Sequence, residues 1–220
     1  MASCGICARE TRDTPLLRDP NLKYSTGDVY SVRESVYTAV YHIFRSTFGE
    51  GSEAFNRSCD SLQDLTSSPD VIKGGRPAII TEDQDDDPQG VWVCVATTYS
   101  GEDIAKLPRV FQHFSIPIAP NMWHGHGAHH VHGLPEWDKP NAFVIGWPFR
   151  SKATREGVWT AQLDGEEVPQ VLGKEAMKFL MSECKRRREV WLEMCRNPVT
   201  ATALEAEVKV SATTHVKIWL

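Results

Sequence analysis

Five histidines stand within nine residues in the run His124-x-His126-x-x-His129-His130-x-His132. Neutral imidazole is a common ligand for zinc, nickel and copper. In an extended segment a His-x-His pair puts both rings on one face. A catalytic zinc takes three protein ligands and keeps one position open. His124, His126 and His129 are therefore a candidate ligand set, with Glu136 or Asp138 as base or fourth ligand. The rival reading is a polar loop that holds metal only as a purification tag does, and no HExxH spacing sharpens the zinc reading. Cys4-Gly-Ile-Cys7 is half of a zinc site without a second half at regular spacing, and it reads as part of an unstructured arm. Lys185 to Arg188 form a basic turn, either a phosphate contact or a solvated helix face.

The elements that must carry these groups follow from composition and periodicity. The chain has 220 residues, 41% hydrophobic and 24% charged, which fits one globular domain with a sizeable core. The formal charge of −5 argues against a surface coated for nucleic acid. Six scattered cysteines are unlike a disulfide scaffold and imply reduced thiols. No apolar run reaches the length of a membrane span, and the first ten residues lack a signal-peptide pattern. The expectation is a cytoplasmic or nuclear protein with no membrane partner.

Residues 1–24 read as a poorly ordered arm and 25–220 as a single α+β domain. Ser25, Thr26 and Asp28 resemble a helix start, and Val29, Val32, Val36, Val40, Ile43 and Phe44 continue at helical spacing up to a C-cap at Gly49. Residues 52–68 are a candidate short helix. Ala78 to Thr81, Val91 to Thr98, residues 109–118, Ala142 to Trp147 and Gly157 to Leu163 are expected strands, the second buried on both faces. Glu82 to Pro88, with five carboxylates, reads as an exposed loop, and residues 119–141 as a long functional or mobile one. Lys174 to Arg196 is a second helix. The tail alternates Val208, Val210, Ala212, Thr214, Val216 and Ile218 with polar residues, the pattern of a half-buried strand. The seven tryptophans are too scattered for a stacking platform and should serve the core or a barrel rim.

Within the strand cluster, Gly74-Gly75-Arg76-Pro77-Ala78-Ile79-Ile80 resembles a Gly-Gly-x-Arg-Pro block of the MazF/PemK growth-inhibitor toxins, one residue shorter. The strand ending Ala96-Thr97-Thr98, the turn Ala105 to Pro108, the strand Phe143 to Ser151 and the helix from Lys174 stand where that family has similar elements, so the resemblance covers about residues 70–196. It implies a small SH3-like β-barrel, here with an N-terminal helix, a C-terminal helix and an extra C-terminal strand. It also implies a homodimer and a metal-independent endoribonuclease that cuts single-stranded RNA through the ribose 2′-oxygen, leaving a 2′,3′-cyclic phosphate. The catalytic arginine maps onto Arg76 and the catalytic hydroxyl onto Thr97 or Thr98. Lys73, Lys106, Arg109 and Arg150 are the accompanying candidates for RNA contact. The family's first strand begins Gly-Asp-(Val/Ile)-Tyr. Gly27-Asp28-Val29-Tyr30 lies far upstream and reads as an accidental match inside a helix start, with Val71-Ile72 as substitute.

The chemistry expected of Arg76 is neutralisation of the transition-state phosphate by a planar, always-charged fork of donors. A threonine hydroxyl would add one hydrogen bond. No base for the 2′-oxygen is evident, and His113 is the candidate. Two rivals stand beside the nuclease and need no turnover of RNA or no RNA at all. One is a non-catalytic barrel that binds a protein partner, and the other is a metal-dependent hydrolase on the His-rich loop, with zinc as cofactor where the nuclease needs none.

Overall fold

The computed structural model describes residues 16, 21–48, 75–85, 87–121, 123, 129–153 and 155–215. Its centre is a mostly antiparallel open sheet. In chain order the elements are β1 (Val29–Val32), α1 (Val36–Phe48), β2 (Arg76–Ile80), β3 (Val91–Thr97), α2 (Arg109–Phe114), β4 (Ser115–Pro117), β5 (Gly133–Leu134), β6 (Phe143–Ile145) and β7 (Phe149–Ser151). There follow β8 (Arg155–Val158), β9 (Thr160–Leu163), β10 (Glu166–Pro169), β11 (Val171–Leu172), α3 (Lys174–Cys195) and α4 (Pro198–His215). The sheet order is β4-β6-β3-β2-β1-β8, with β7 continuing along β3 where β6 leaves it. Ala96 and Thr97 of β3 pair with β6, and Val91 to Val93 pair with β7. Two short ladders, β9 with β10 and β5 with β11, stand apart from the sheet.

Both faces of the sheet are covered, which explains the unbroken apolar run in β3. Val91, Val93 and Val95 join a core with Val40, Ile43 and Phe44 of α1, Phe111 and Phe114 of α2, and Trp191 of α3. Cys94 and Ala96 point the other way, into a second core with Ile79, Ile116, Val144 and the α3 residues Met177 and Leu180. Period-two alternation puts successive residues on opposite faces, so a strand buried on both needs apolar residues throughout. Trp191 is fully buried and donates its indole N–H to Thr47 Oγ1 at 3.1 Å. Removing such a ring costs about 3–5 kcal/mol.

Several sequence expectations give way here. The segment from Ser25 is a turn and a strand rather than a helix start. Asp28 does accept the Ser25 N–H, but Gly27 at φ +90° redirects the chain into β1, which pairs with β2 on one edge and β8 on the other. Gly27-Asp28-Val29-Tyr30 thus leads into and begins a real strand. The helix comes after it, where Ser35 Oγ accepts the Tyr37 N–H. Residues 109–118 divide into helix and short strand, because Phe111 and Val110 turn toward α1 and the aromatic core. Gly157 to Leu163 divides at Trp159 between β8 and β9.

The expected C-terminal strand is helix α4 as far as His215. Asn197 Oδ1 accepts the N–H groups of Val199 and Thr200, an N-cap followed by Pro198 at the first helical position. That start, with Leu204 buried in the core, overrides the β-branched alternation. The arm is anchored at its end, since Tyr24 is buried and bridges Gln84. The sheet is open rather than a barrel among the described residues, with β4 and β8 at its two edges. The Gly49 cap, the helix at 52–68 and Val71-Ile72 lie outside the described residues.

Candidate functional site

Where β2 and β3 meet the start of α1, a cleft of about 320 Å³ opens. Arg76, Thr97 and Thr98 all line it, together with Gly75, Pro77, Ser35, Val36, Tyr37, Ser100, Trp137, Lys139 and Trp159. Among the described residues, no carboxylate and no imidazole lines it.

Arg76 begins β2 opposite Val32 of β1, on the same strand face as Ala78 and Ile80. Its Nε donates to the Glu34 carbonyl at 2.9 Å. Among the described residues the terminal guanidinium nitrogens have no hydrogen bond or ion pair. Burial depresses the guanidinium pKa, offset in part by the Tyr99 hydroxyl and the Glu34 carboxylate nearby. Gly75 before it lets Ser31 and Glu156 lie close: a Cβ there would sit 1.7 Å from Ser31 Oγ and 2.5 Å from Glu156 Oε2. Burial raises the Glu34 carboxyl above its ordinary range, against the lowering effect of the Ser151 hydroxyl, which donates to it at 2.5 Å, and of Arg76.

The two threonines differ. The Thr97 hydroxyl is buried and accepts the Tyr99 N–H at 3.0 Å. The Thr98 hydroxyl has no hydrogen bond among the described residues, and Thr98 is only partly buried. Tyr99 and Ser100 follow at φ 48° and 53°, left-handed values that cost about 1–3 kcal/mol each for residues other than glycine. The Tyr99 phenol holds that turn through a 2.6 Å hydrogen bond with Ser115 Oγ. Burial raises its pKa strongly, so Tyr99 stays protonated and serves as an anchor.

The aromatic wall comes from far along the chain. Trp137 is buried in the second core, and Trp159 packs partly against it. The β5–β11 ladder brings Trp137 in through Gly133, where a Cβ would lie 2.4 Å from Gln170 Nε2 and 3.3 Å from Trp137 Cε3. Gln170 Nε2 in turn donates to the Pro135 carbonyl. These residues, Lys139 and the α1 start were not legible as site residues. A dispersed set of tryptophans gives no local signal that two of them share a cleft.

The other candidates disperse. Arg109 is tied to Glu207 of α4, Nε to Oε1 at 2.7 Å. Arg150 pairs with Asp87 at 3.0 Å and lies 5.6 Å from the centre of the Trp92 ring. Lys106 is exposed at the end of a short 3₁₀ turn away from the cleft lining. Lys73 lies outside the described residues. His113 is no base for this cleft: its Nε2 is 2.7 Å from the Arg187 carbonyl, and its ring packs on Phe114 and Trp191. Of the expected zinc ligands, His129 is exposed, and His124 and His126 lie outside the described residues, as do Cys4 and Cys7. Among the described residues no group of three metal-ligating side chains occurs. The basic turn of α3 is not one solvated face, because Arg187 is buried while Arg188 lies over Trp147. The acidic loop, with Asp83, Asp85 and Asp87, lies outside the cleft and bonds Thr26, Lys23 and Arg150 instead.

Among the described residues no helix is long and apolar enough to cross a membrane. Comparison with family models, with curated proteins and with solved structures finds no match for this chain.

Proposed function

We propose that the Arg76 cleft binds single-stranded RNA and cleaves it without a metal ion, the reading to which the MazF/PemK resemblance also leads. The observation that carries it is a half-buried arginine that lines the cleft and whose terminal nitrogens have no partner among the described residues, beside the Thr98 hydroxyl, likewise unpartnered among them, and the partly exposed Trp159. A planar cation with donors to spare in a cleft suits a phosphodiester. Aromatic faces suit unstacked bases, the usual targets of single-strand recognition.

In the reaction the ribose 2′-oxygen attacks the adjacent phosphorus and the 5′-oxygen departs, giving a cyclic phosphate and a 5′-hydroxyl. The 2′ proton passes to solvent and the leaving oxygen takes one back. Arg76 neutralises the charge that builds on the non-bridging oxygens, and Thr98 donates one hydrogen bond to them.

The second reading is a non-catalytic module that binds its partner in the same cleft. It is favoured by the lack of a carboxylate or imidazole among the described lining residues, which supply no base directly to the 2′-oxygen. The His-rich loop gains no support as a hydrolase from the described residues.

The deciding experiment incubates the protein with mixed-sequence single-stranded RNA in chelator, beside Arg76→Ala. Cleavage by the parent that leaves cyclic phosphate ends, and falls by about 10²–10³ in the variant, is expected. Equal cleavage by both would refute the assignment. Binding without cleavage would favour the module.

A further inference from the structure

Beyond general affinity for RNA, the same cleft has the size and the polarity of a pocket for one nucleotide. At about 320 Å³ it lies at the small end of ligand pockets, which run from about 300 to 1,000 Å³. A run of stacked bases does not fit such a space, whereas one phosphate with one ring does.

Two kinds of group line the cleft. Arg76 donates Nε to the Glu34 carbonyl at 2.9 Å, and this contact sets its guanidinium beside the first residues of α1. That helix has 13 residues, and its opening residues Ser35, Val36 and Tyr37 line the cleft. The Tyr37 N–H is taken by Ser35 Oγ at 3.1 Å and the Thr38 N–H by the Ser35 carbonyl. Val36, one residue earlier, has no acceptor within the helix. Helix starts favour anions through such open amides and through the helix dipole. Here the helix start is joined by an arginine with unused donors and by the Thr98 hydroxyl. Trp137, almost wholly buried, and the partly exposed Trp159 also line it. Among the described residues neither indole N–H makes a hydrogen bond, so each retains a donor for a ligand.

We infer that the cleft takes a single ribonucleotide, with its phosphate held by Arg76, Thr98 and the start of α1, and its base against Trp159. This rests on the RNA reading above and narrows it. A strand would enter with one nucleotide turned out of its stack, and free nucleoside monophosphates would compete for the same place.

The test titrates the full chain by calorimetry with each of the four ribonucleoside 5′-monophosphates, with the parent nucleosides and with inorganic phosphate. At least one monophosphate should bind about tenfold more tightly than either its nucleoside or phosphate. Arg76→Lys keeps the charge but loses the fork, and should weaken the monophosphate without changing the nucleoside. Trp159→Leu should weaken monophosphate and nucleoside alike and leave phosphate unaffected. Thr98→Val replaces Arg76→Lys if that variant loses its circular dichroism spectrum. Monophosphates bound no better than phosphate, or equally by parent and variants, would overturn the one-nucleotide pocket. RNA cleavage alongside such a result would overturn the pocket alone and leave the nuclease reading in place. Tight monophosphate binding without RNA cleavage would uphold the pocket and remove the nuclease.

Discussion

Arg76 in the cleft and Arg187 at the junction of α2 with α3 are both arginines whose pKa burial lowers, yet their surroundings differ. Arg187 is 4% exposed and engaged through two of its guanidinium nitrogens. Its Nε donates to Glu183 Oε2 at 3.1 Å, its Nη1 donates to the His113 carbonyl, and its own carbonyl meets His113 Nε2 at 2.7 Å. That is a reciprocal clasp between two helices. Arg76, which lines the cleft, makes one hydrogen bond through Nε, and its outer nitrogens have no partner among the described residues. A buried cation whose donors are consumed internally holds a fold together. One whose donors are left over has its desolvation unrepaid until a ligand arrives.

The contrast can be broken most directly by exchanging losses. Arg76→Ala should remove about 10²–10³ of RNA cleavage while changing stability by less than about 1 kcal/mol, measured by urea unfolding beside the activity assay. Arg187→Met should do the reverse. It should cost about 3 kcal/mol of stability, because it strips partners from Glu183 and from the His113 carbonyl, and leave cleavage per folded molecule unchanged. A stable Arg187→Met protein with lost activity would erase the distinction.

The threonines sharpen the same point at smaller scale. Thr98→Val should lower cleavage by about 10- to 100-fold, the worth of one hydrogen bond to a charged group, with little change in the urea midpoint. Thr97→Val leaves the buried Tyr99 N–H without an acceptor and should cost about 1–3 kcal/mol. Activity loss confined to Thr97→Val would reassign the hydroxyl.

The smallest effect concerns His42 of α1, stacked on Phe149 at 5.0 Å. Burial, with the neighbouring Arg45 charge, lowers its pKa from 6.5 to about 4. Between those values the unfolded chain binds a proton that the folded one does not, so stability falls as pH drops from 6.5 toward 4. His42→Phe keeps the stack and should flatten that part of the profile, read from melting temperature against pH. An unchanged slope would show that His42 is protonated in the fold.

Parts of this architecture were legible because they rest on local pattern. The β3 run of Val91 to Thr97 required burial on both faces, and α3 from Lys174 followed its apolar stripe over Met177, Leu180, Cys184 and Trp191. Arg76, Thr97 and Thr98 were singled out as a group, and they do line one cleft. Elements whose local pattern fits two structures were misread. Val29 and Val32 suit a helix period and a strand equally, and pairing with β2 and β8 decided for strand. The tail's alternation suited a strand, but Asn197 and Pro198 started a helix.

By itself the sequence determined which residues must leave water and which backbone segments have a single periodicity, since both depend on neighbours a few positions apart. Only the tertiary structure decided which polar groups are spent and which are free. Arg109 meets Glu207 from 98 positions away, and Arg76 meets Glu34 from 42. Hydrogen-bond donors are satisfied by whatever the fold brings within about 3 Å, and sequence spacing carries no record of that.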